Sequence, residues 1–217
     1  MLTVSDLDYQ WPNSSKKLLY NLNLNINNGE LVALVGDNGA GKSTLMRLIA
    51  GLLKPSSGTV IFNQHNVHQL KAQQRAPLIG ILFQEAERQI FKSRVFDEVA
   101  FGLEQQGMCG EALKEKVQQT LEMCQLADVA ESHPLDLNSG QRRMVAVATL
   151  AAMNPPLLLL DEPTRDFDAH WLEIFAQWLK QCHQQGTTVL AISHDYSYIK
   201  QHFERVITLE NGQISIK

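Results

Sequence analysis

A nine-residue stretch, GDNGAGKST at residues 36–44, constrains this chain more than any other feature. It fits the pattern G-x-x-x-x-G-K-[ST] without a mismatch. An apolar run, Leu31–Val35, predicts a buried strand before it, and apolar residues at helical spacing over residues 42–50 predict a helix after it. Strand, glycine-rich turn and helix therefore follow one another in the order that a phosphate-binding loop requires.

The residue types in this loop suit a triphosphate bound with magnesium. Its glycines let the backbone wrap closely around phosphate oxygens, and the amides of the turn and helix N-terminus direct positive partial charge at the anion. Lys42 is placed to reach the β- and γ-phosphates, and the Ser43 hydroxyl to ligate Mg²⁺. A glycine-rich turn that fits by chance is the alternative. The predicted nucleotide-binding residues are Gly36, Asp37, Asn38, Gly39, Ala40, Gly41, Lys42, Ser43 and Thr44.

Composition narrows the class of protein. The 217 residues, 44% of them hydrophobic, suffice for one globular α/β domain with a full core. A net charge of -4 argues against a broad nucleic-acid-binding surface. Three widely spaced cysteines (Cys109, Cys124 and Cys182) favour a reduced, intracellular setting. Because no leader and no apolar run of membrane-spanning length is seen, we expect another subunit to supply any membrane span.

The order of predicted elements indicates the fold. Residues 2–26 are typical of antiparallel strands joined by a turn. Later strands alternate with helices and are apolar throughout, which predicts a parallel sheet. From about Val95 to Ala130 the pattern is helical without a strand signal, and an amphipathic helix is predicted at Ser139–Met153. An inserted helical subdomain accounts for this interruption.

Polar residues follow two of the predicted buried strands. The run Leu157–Leu160 meets Asp161, which suits the Mg²⁺ shell, and Glu162, which could accept a proton from the attacking water or orient it. His194, at the tip of the next strand, could reach the γ-phosphate and position that water. The alternatives are exposed acids at an ordinary strand end and a structural or solvated histidine. His65 and His68 lack further metal ligands and are interpreted as surface residues.

Over essentially its whole length, the chain resembles the nucleotide-binding subunit of an ATP-binding cassette (ABC) transporter. The resemblance implies an α/β fold, a P-loop NTPase of the ABC ATPase type, with a mixed, mostly parallel sheet, an N-terminal antiparallel β subdomain and an inserted helical subdomain. It implies a single domain at residues 1–217, with the core and antiparallel part at about 1–94 and 155–217 and the helical subdomain at about 95–154.

The resemblance also assigns roles to further residues. Trp11 stands where the family keeps an aromatic that stacks on adenine; the alternative is a strand-packing tryptophan. Gln84 matches the glutamine of the family's Q-loop, which reaches Mg²⁺ and senses the membrane subunit. Asp168 falls at the aspartate of the D-loop, and His194 at the switch histidine. The family's signature loop, which closes over the γ-phosphate of the opposite subunit, corresponds to Leu137, Asn138, Ser139, Gly140 and Gln141; its alternative is a plain helix N-cap.

A closer likeness runs from Phe83 to Leu103, which is similar to the ATPases of energy-coupling-factor importers. Those importers take up vitamins or metal ions such as cobalt and nickel. Phe91, Val95 and Phe96 would then lie near the groove that receives a coupling helix of the membrane subunit; the alternative is packing within the helical subdomain. The likeness implies a cassette that uses ATP and Mg²⁺, forms a homodimer or a heterodimer with a second ABC ATPase, and binds integral membrane subunits at the cytoplasmic face of the cell membrane, without nucleic acid.

Two stretches depart from the family pattern. Asn138 replaces a serine and Ser139 a glycine in the signature loop, while Arg165 and Phe167 bring charge and bulk to the dimer seam. We therefore expect either hydrolysis with weakened closure or a partner ATPase with a standard loop. Other roles left open are a soluble ABC ATPase acting on DNA or the ribosome and a regulatory module switched by nucleotide.

Overall fold

Two β-sheets organise the chain in the computed structural model, which describes residues 1–216. In β1 and β2 buried residues alternate with more exposed ones, whereas β3, β7 and β8 are buried throughout. In chain order they are β1 (Leu2–Tyr9), β2 (Leu19–Ile26), β3 (Leu31–Val35), β4 (Ser57–Phe62), β5 (His65–Asn66), β6 (Ile79–Leu82), β7 (Leu157–Asp161), β8 (Thr188–Ile192), β9 (Arg205–Glu210) and β10 (Gln213–Ile216).

Helices connect the strands, and most of them contribute buried residues to the hydrophobic clusters. The region predicted to be helical from Val95 contains two helices, and between them Gly107 and Gly110 have positive φ angles, of 88° and 67°. The helix predicted at Ser139–Met153 has the bounds expected for it. The α-helices are α1 (Lys42–Ile49), α2 (Ala72–Arg75), α3 (Val95–Gln105), α4 (Gly110–Met123), α5 (Ser139–Met153), α6 (Ala169–Gln184) and α7 (Tyr196–His202).

The smaller sheet is antiparallel, in the order β2-β1-β4-β5. Alternation along β2 predicted one buried face, and Leu22, Leu24 and Ile26 are each at most 4% exposed. The asparagines between them are exposed. The N-terminal antiparallel part predicted from the sequence is therefore confirmed.

The larger sheet is mixed and mostly parallel, in the order β10-β9-β3-β8-β7-β6. The five strands from β9 to β6 run parallel, and β10 pairs antiparallel with β9. Every residue of β3, β7 and β8 is buried, which explains their uninterrupted apolar runs. Because the carboxyl ends of parallel strands meet at one edge, the residues that follow β3, β7 and β8 come together there.

The helical region shares one hydrophobic cluster with a face of the larger sheet and with α6. That residues 95–154 form a separate helical subdomain stays a prediction. Sequence reasoning missed the short elements β5, α2, α7 and β10; of these, β10 follows an Asn211-Gly212 turn with positive φ at both residues, a recognisable hairpin signal. In residues 1–216, no helix is both long enough and apolar enough to cross a membrane.

Candidate active site

The loop between β3 and α1 has the conformation that a phosphate-binding loop needs. Gly36, Gly39 and Gly41 have φ angles of 145°, 83° and 105°, which side-chain-bearing residues rarely adopt. A Cβ at Gly36 would also collide with the carbonyl oxygen of Leu209 on β9. The helix begins at Lys42, so the amides of its first turn open toward the loop.

Lys42 folds back over this loop. Lys42 is only 7% exposed. Its Nζ donates hydrogen bonds to the carbonyl oxygens of Gly36 at 2.7 Å and Asp37 at 3.0 Å. An ammonium has three donors, so one remains for an anion bound in the loop. The position of Lys42 thus suits charge neutralisation of a phosphate.

A cleft of about 610 Å³ runs from this loop along the carboxyl edge of the larger sheet. It collects most of the residues predicted to bind nucleotide, although they come from distant parts of the chain. Trp11 lies at one side, 39% exposed and in an edge contact with Tyr9 at 5.1 Å between ring centroids. The lining residues are Trp11, Leu18, Asn38, Gly39, Gly41, Lys42, Ser43, Thr44, Gln84, Asp161, Glu162, Arg165, Ile192 and His194.

The oxygen donors in the cleft fit a magnesium ion. Ser43, Gln84 and Asp161 line it together, and hydroxyl, amide and carboxylate oxygens are ligands that Mg²⁺ accepts. Burial raises the pKa of the Asp161 carboxyl, and the Ser43 hydroxyl opposes that rise. In the described part of the chain, no group of three or more His, Cys, Asp or Glu residues could hold a metal ion. Mg²⁺ sites typically use one or two carboxylates together with substrate phosphates.

Glu162 and His194 face each other in the same cleft. The Nε2 of His194 lies 3.3 Å from the Oε1 of Glu162, and the Glu162 side chain is 18% exposed. Burial raises the pKa of Glu162, while His194 lowers it. A carboxylate with a raised pKa is a better proton acceptor near neutral pH, so the pair suits activation of a water molecule.

Glu162 also has an unusual backbone. Its φ is 50°, in the left-handed region, and its amide donates to the carbonyl oxygen of Ile192 at 2.9 Å. A non-glycine residue held in this region is strained and persists only where its surroundings fix it.

Comparison with known proteins decides the family. A family model described as "ABC transporter" matches residues 19–165. The chain belongs to the ABC transporter family. A second model, for an AAA domain, matches residues 133–199. With the cleft described above, the chain is an ATP-binding cassette of the ABC ATPase type.

Relatives extend this likeness to the whole chain. An ABC transporter ATP-binding protein of Clostridium acetobutylicum is 35% identical over 99% of this chain and 91% of its own length. An energy-coupling factor transporter ATP-binding protein, EcfA2, of Acetivibrio thermocellus is 35% identical over 93% of this chain and 72% of that protein. A Methanosarcina mazei relative, also named an ABC transporter ATP-binding protein, is 40% identical over 90% of this chain, which spans only 33% of its length.

Solved structures confirm the ABC ATPase fold. The ATP-binding cassette MJ0796, in a dimeric post-hydrolysis state with ADP and Pi, superposes with a TM-score of 0.90 at 30% identity, covering 99% of this chain and 97% of that one. CbiO1 of Clostridium perfringens, part of the ABC transporter complex CbiONQ, gives a TM-score of 0.87 at 28% identity, covering 99% and 86%.

The predicted signature loop, residues 137–141, lies outside the chain's own cleft. Within residues 1–216, none of its residues lines the cleft that holds Lys42. Asn138 caps α5: its Oδ1 accepts from the amide of Gln141 at 2.9 Å, and the Gln141 Oε1 accepts from the amide of Asn138 at 3.2 Å. Asn138 and Ser139 are exposed, and Gly140 is buried against Trp171. The helix N-cap that sequence reasoning kept as the alternative is therefore present, with its outer surface free to meet a partner.

The predicted D-loop comprises residues 165–168. Asp168 caps α6 by accepting from the amide of Trp171 at 3.0 Å. Phe167 is half-buried and packs on Phe175, with ring centroids 5.8 Å apart. Arg165 lines the nucleotide cleft of its own subunit. Part of the Phe167 ring therefore packs against the core. The prediction that Arg165 and Phe167 bring charge and bulk to a dimer seam stays a prediction.

Two expectations need correction. Val95 is fully buried in the hydrophobic cluster beneath α3, so it is a core residue and cannot contact a membrane subunit. Phe96 is half-buried against the same cluster, whereas Phe91 is 62% exposed. His68 is also half-buried: its Nε2 lies 3.0 Å from the carbonyl oxygen of Leu53, and burial lowers its pKa. Only His65 of the two histidines is a surface residue.

Sequence reasoning missed residues that hold the Q-loop (residues 84–94). Gln89 bonds to the end of β6, accepting from the amide of Phe83 and donating to the carbonyl of Ile81, each at 2.9 Å. It also missed Arg143, a charged residue in the apolar helix α5 that is 2% exposed. Arg143 could have been recognised as a charged residue inside an apolar helical pattern, because a buried charge needs buried partners.

Proposed function

We propose that this chain is the ATP-hydrolysing subunit of an ABC importer, which binds ATP with Mg²⁺, pairs with a second ATPase subunit and drives uptake through a separate membrane subunit. One observation carries the proposal. Lys42, Glu162 and His194 line one cleft, whereas the signature loop lies outside that cleft on an exposed surface. This arrangement suits a catalytic site to which another subunit contributes its signature loop.

Each group in the cleft has a separate role in hydrolysis. Lys42 and the loop amides bind the β- and γ-phosphates, and Trp11 is available to stack on the adenine. Mg²⁺, held by Ser43, Gln84 and Asp161, supplies neutralisation of phosphate charge when bound. Glu162 accepts a proton from the attacking water, and His194 orients that water from the neighbouring strand.

The second subunit would contribute its signature loop. Asn138 and Ser139 are exposed at the N-terminus of α5, where backbone amides and polar side chains can meet a phosphate across a dimer seam. The cassette MJ0796, to which this chain is similar, forms a dimer with ADP and Pi. We propose a homodimer or a heterodimer with a second ABC ATPase.

A membrane subunit would dock beside the Q-loop at the cytoplasmic face of the membrane. A second cleft, of about 860 Å³, adjoins the first, and Gln84 and Asp161 line both. Phe91, in the Q-loop, is 62% exposed, and the carboxylate of Glu98 accepts from the amides of Phe91 and Lys92 at 3.1 and 2.8 Å. EcfA2 is named as a subunit of an energy-coupling factor transporter, and CbiO1 as part of an ABC transporter complex. Together with the likeness of Phe83–Leu103 to the ATPases of energy-coupling-factor importers, these names support our proposal that the cargo is a metal ion such as cobalt or nickel, or a vitamin.

Steady-state ATP hydrolysis and ATP binding test the proposal. We expect the purified protein to bind ATP with magnesium and to hydrolyse it, Lys42→Ala to lose tight binding, and Glu162→Gln to bind ATP but turn it over slowly. Size-exclusion chromatography should detect an ATP-dependent dimer of Glu162→Gln, mixed with its partner ATPase if it has one. Full-speed hydrolysis by a strictly monomeric protein would contradict the paired site, and stimulation by DNA or ribosomes instead of a membrane subunit would contradict the importer role.

A further inference from the structure

One buried guanidinium connects the ends of two neighbouring strands beside the cleft. Arg143 lies in the first turns of α5, and β6 and β7 pair in parallel. Its Nη1 donates to the carbonyl oxygen of Gln84 at 3.0 Å, just beyond β6. At the end of β7, its Nη2 donates to Asp161 O at 3.4 Å and to Glu162 O, and just beyond, its Nε donates to Pro163 O at 3.0 Å.

Arginine suits this position better than any other side chain. Its planar fork carries five donors in fixed directions, and here four backbone acceptors surround it. Burial lowers the pKa of Arg143, but neighbouring carboxylates, Asp166 first among them, oppose the change. Lysine would offer a single charged point that cannot reach the same carbonyls together.

The contact matters because of the backbone of Glu162. That residue is held with φ at 50°, its amide bonded to Ile192 and its carbonyl to Arg143. A left-handed glutamate does not keep this conformation by itself. The direction of its carboxylate, which faces His194, therefore depends on bonds to both of its backbone groups.

We propose that Arg143 is a positioning residue for ATP hydrolysis, whose guanidinium fixes the peptide of Glu162 and the start of the Q-loop at Gln84 relative to each other. This rests on the proposed ATPase function. Because one side chain holds both segments, a shift of Gln84 changes the position of the catalytic carboxylate. Arg143 itself does not touch the nucleotide, since it lies beneath the cleft and is not among its lining residues.

Replacement of an arginine with a purely structural role would have different effects from replacement of a positioning residue. Its loss would lower thermal stability and ATP affinity together with turnover. A positioning residue affects chiefly the step in which Glu162 acts, since a small misplacement of a catalytic group can cost about 10²-fold in rate. The split between kcat and ATP affinity therefore distinguishes the two roles.

The experiment compares Arg143→Met, Arg143→Lys and Arg75→Met with the unmodified protein. Arg75 is the matched control, a half-buried arginine that donates to the carbonyl oxygen of Leu70 at 3.2 Å, away from the cleft. We expect Arg143→Met to lower kcat about 10²-fold, with an ATP dissociation constant within about threefold of the original. Arg143→Lys should recover about tenfold of that loss, since it retains charge but not the fork. Arg75→Met should leave kcat unchanged.

Amide hydrogen exchange supplies a readout that needs no turnover. In Arg143→Met and Arg143→Lys, we expect faster exchange confined to peptides containing Gln84 and residues 161–166, with α5 still protected. If Arg143→Met fails to fold, Arg143→Lys decides. If the unmodified protein proves to have no ATPase activity, the proposed function fails, and localised exchange still supports the positioning contact.

Three results would overturn the inference. One is a kcat of Arg143→Met within threefold of the original. Another is a parallel fall of melting temperature, ATP affinity and kcat, with exchange accelerated across the whole chain. The third is unchanged amide exchange of Gln84 and residues 161–166 in Arg143→Met, because loss of the contact is expected to loosen both segments.

Discussion

The Nε2 of His194 lies 3.3 Å from the Oε1 of Glu162, so two groups that follow adjacent parallel strands meet in one cleft. The Glu162 side chain is mostly shielded from solvent, whereas that of His194 is half exposed. This unequal exposure suits a shielded base with an orienting group on its open side.

Replacement of His194 tests this pairing. We expect His194→Ala to lower kcat about 10²-fold, because a positioned side chain that assists proton transfer contributes at least that much, and to leave ATP binding intact. Rates are measured by phosphate release and binding by calorimetry. His65→Ala is the control, because His65 is an exposed histidine that is distant in sequence from Glu162 and His194. Equal rates for His194→Ala and the unmodified protein would rule out the assignment.

Asn138 has a measurable structural role apart from any contact with a partner's ATP. Because its side chain caps α5, Asn138→Ala should lower the free energy of unfolding by about 1 kcal/mol, measured by urea denaturation. Asn138→Ser should keep the cap and remain within a few tenths of a kcal/mol.

The same serine variant tests the departure of the signature loop. Asn138→Ser restores the residue that the family usually has, and we expect higher ATP turnover if the asparagine weakens closure of the dimer. The measurement is kcat at saturating ATP and at several protein concentrations. Unchanged turnover would mean that the asparagine is harmless.

Arg165 adds a cation to the nucleotide cleft. Its side chain is about half exposed and its Nε is 3.9 Å from the Oδ2 of Asp166, so it is only loosely paired. We expect Arg165→Ala to raise the ATP dissociation constant about tenfold at low salt, because a hydrogen bond to a charged group is lost. The difference should shrink at high salt, where exposed charges are screened. An ATP affinity that is insensitive to Arg165→Ala at low salt would contradict a phosphate contact.

The three cysteines should differ sharply in reactivity. Cys109 is exposed, whereas burial raises the pKa of both Cys124 and Cys182 to about 12. Since the thiolate is the reactive form, almost none is present at the buried positions at pH 8. A dinitrobenzoate thiol assay should therefore count one thiol in the native protein and three after denaturation, with Cys109→Ser abolishing the native signal. Three fast-reacting thiols in the native state would contradict this burial.

The parts that the sequence predicted well are those specified locally. Leu31–Val35 is apolar at every position because both faces of the strand are covered, and the glycines at residues 36–41 are needed for their positive φ angles. Asp161 and Glu162 follow an equally apolar strand. Strand direction then places all of these residues at one edge of the sheet.

The sequence did not predict the features that distant packing decides. Val95 is expected near an outer groove but is buried, because a single apolar residue in a helix does not reveal which neighbour covers it. Arg143 was missed because its acceptors are backbone carbonyls, which carry no sequence signature. Sequence patterns therefore predicted most of the residues that meet in the cleft, but not the buried arginine that bonds to Gln84 and residues 161–163.

The strand that leads into the phosphate loop has both of its neighbours near the other end of the chain. β3 lies between β8 and β9, and Gly36 abuts Leu209 on β9. Since chains emerge from the ribosome N-terminus first, β3 waits without strand partners until residues 188–210 have been made. A nascent chain stalled before β8 should therefore expose the apolar strand β3 to chaperones instead of binding nucleotide.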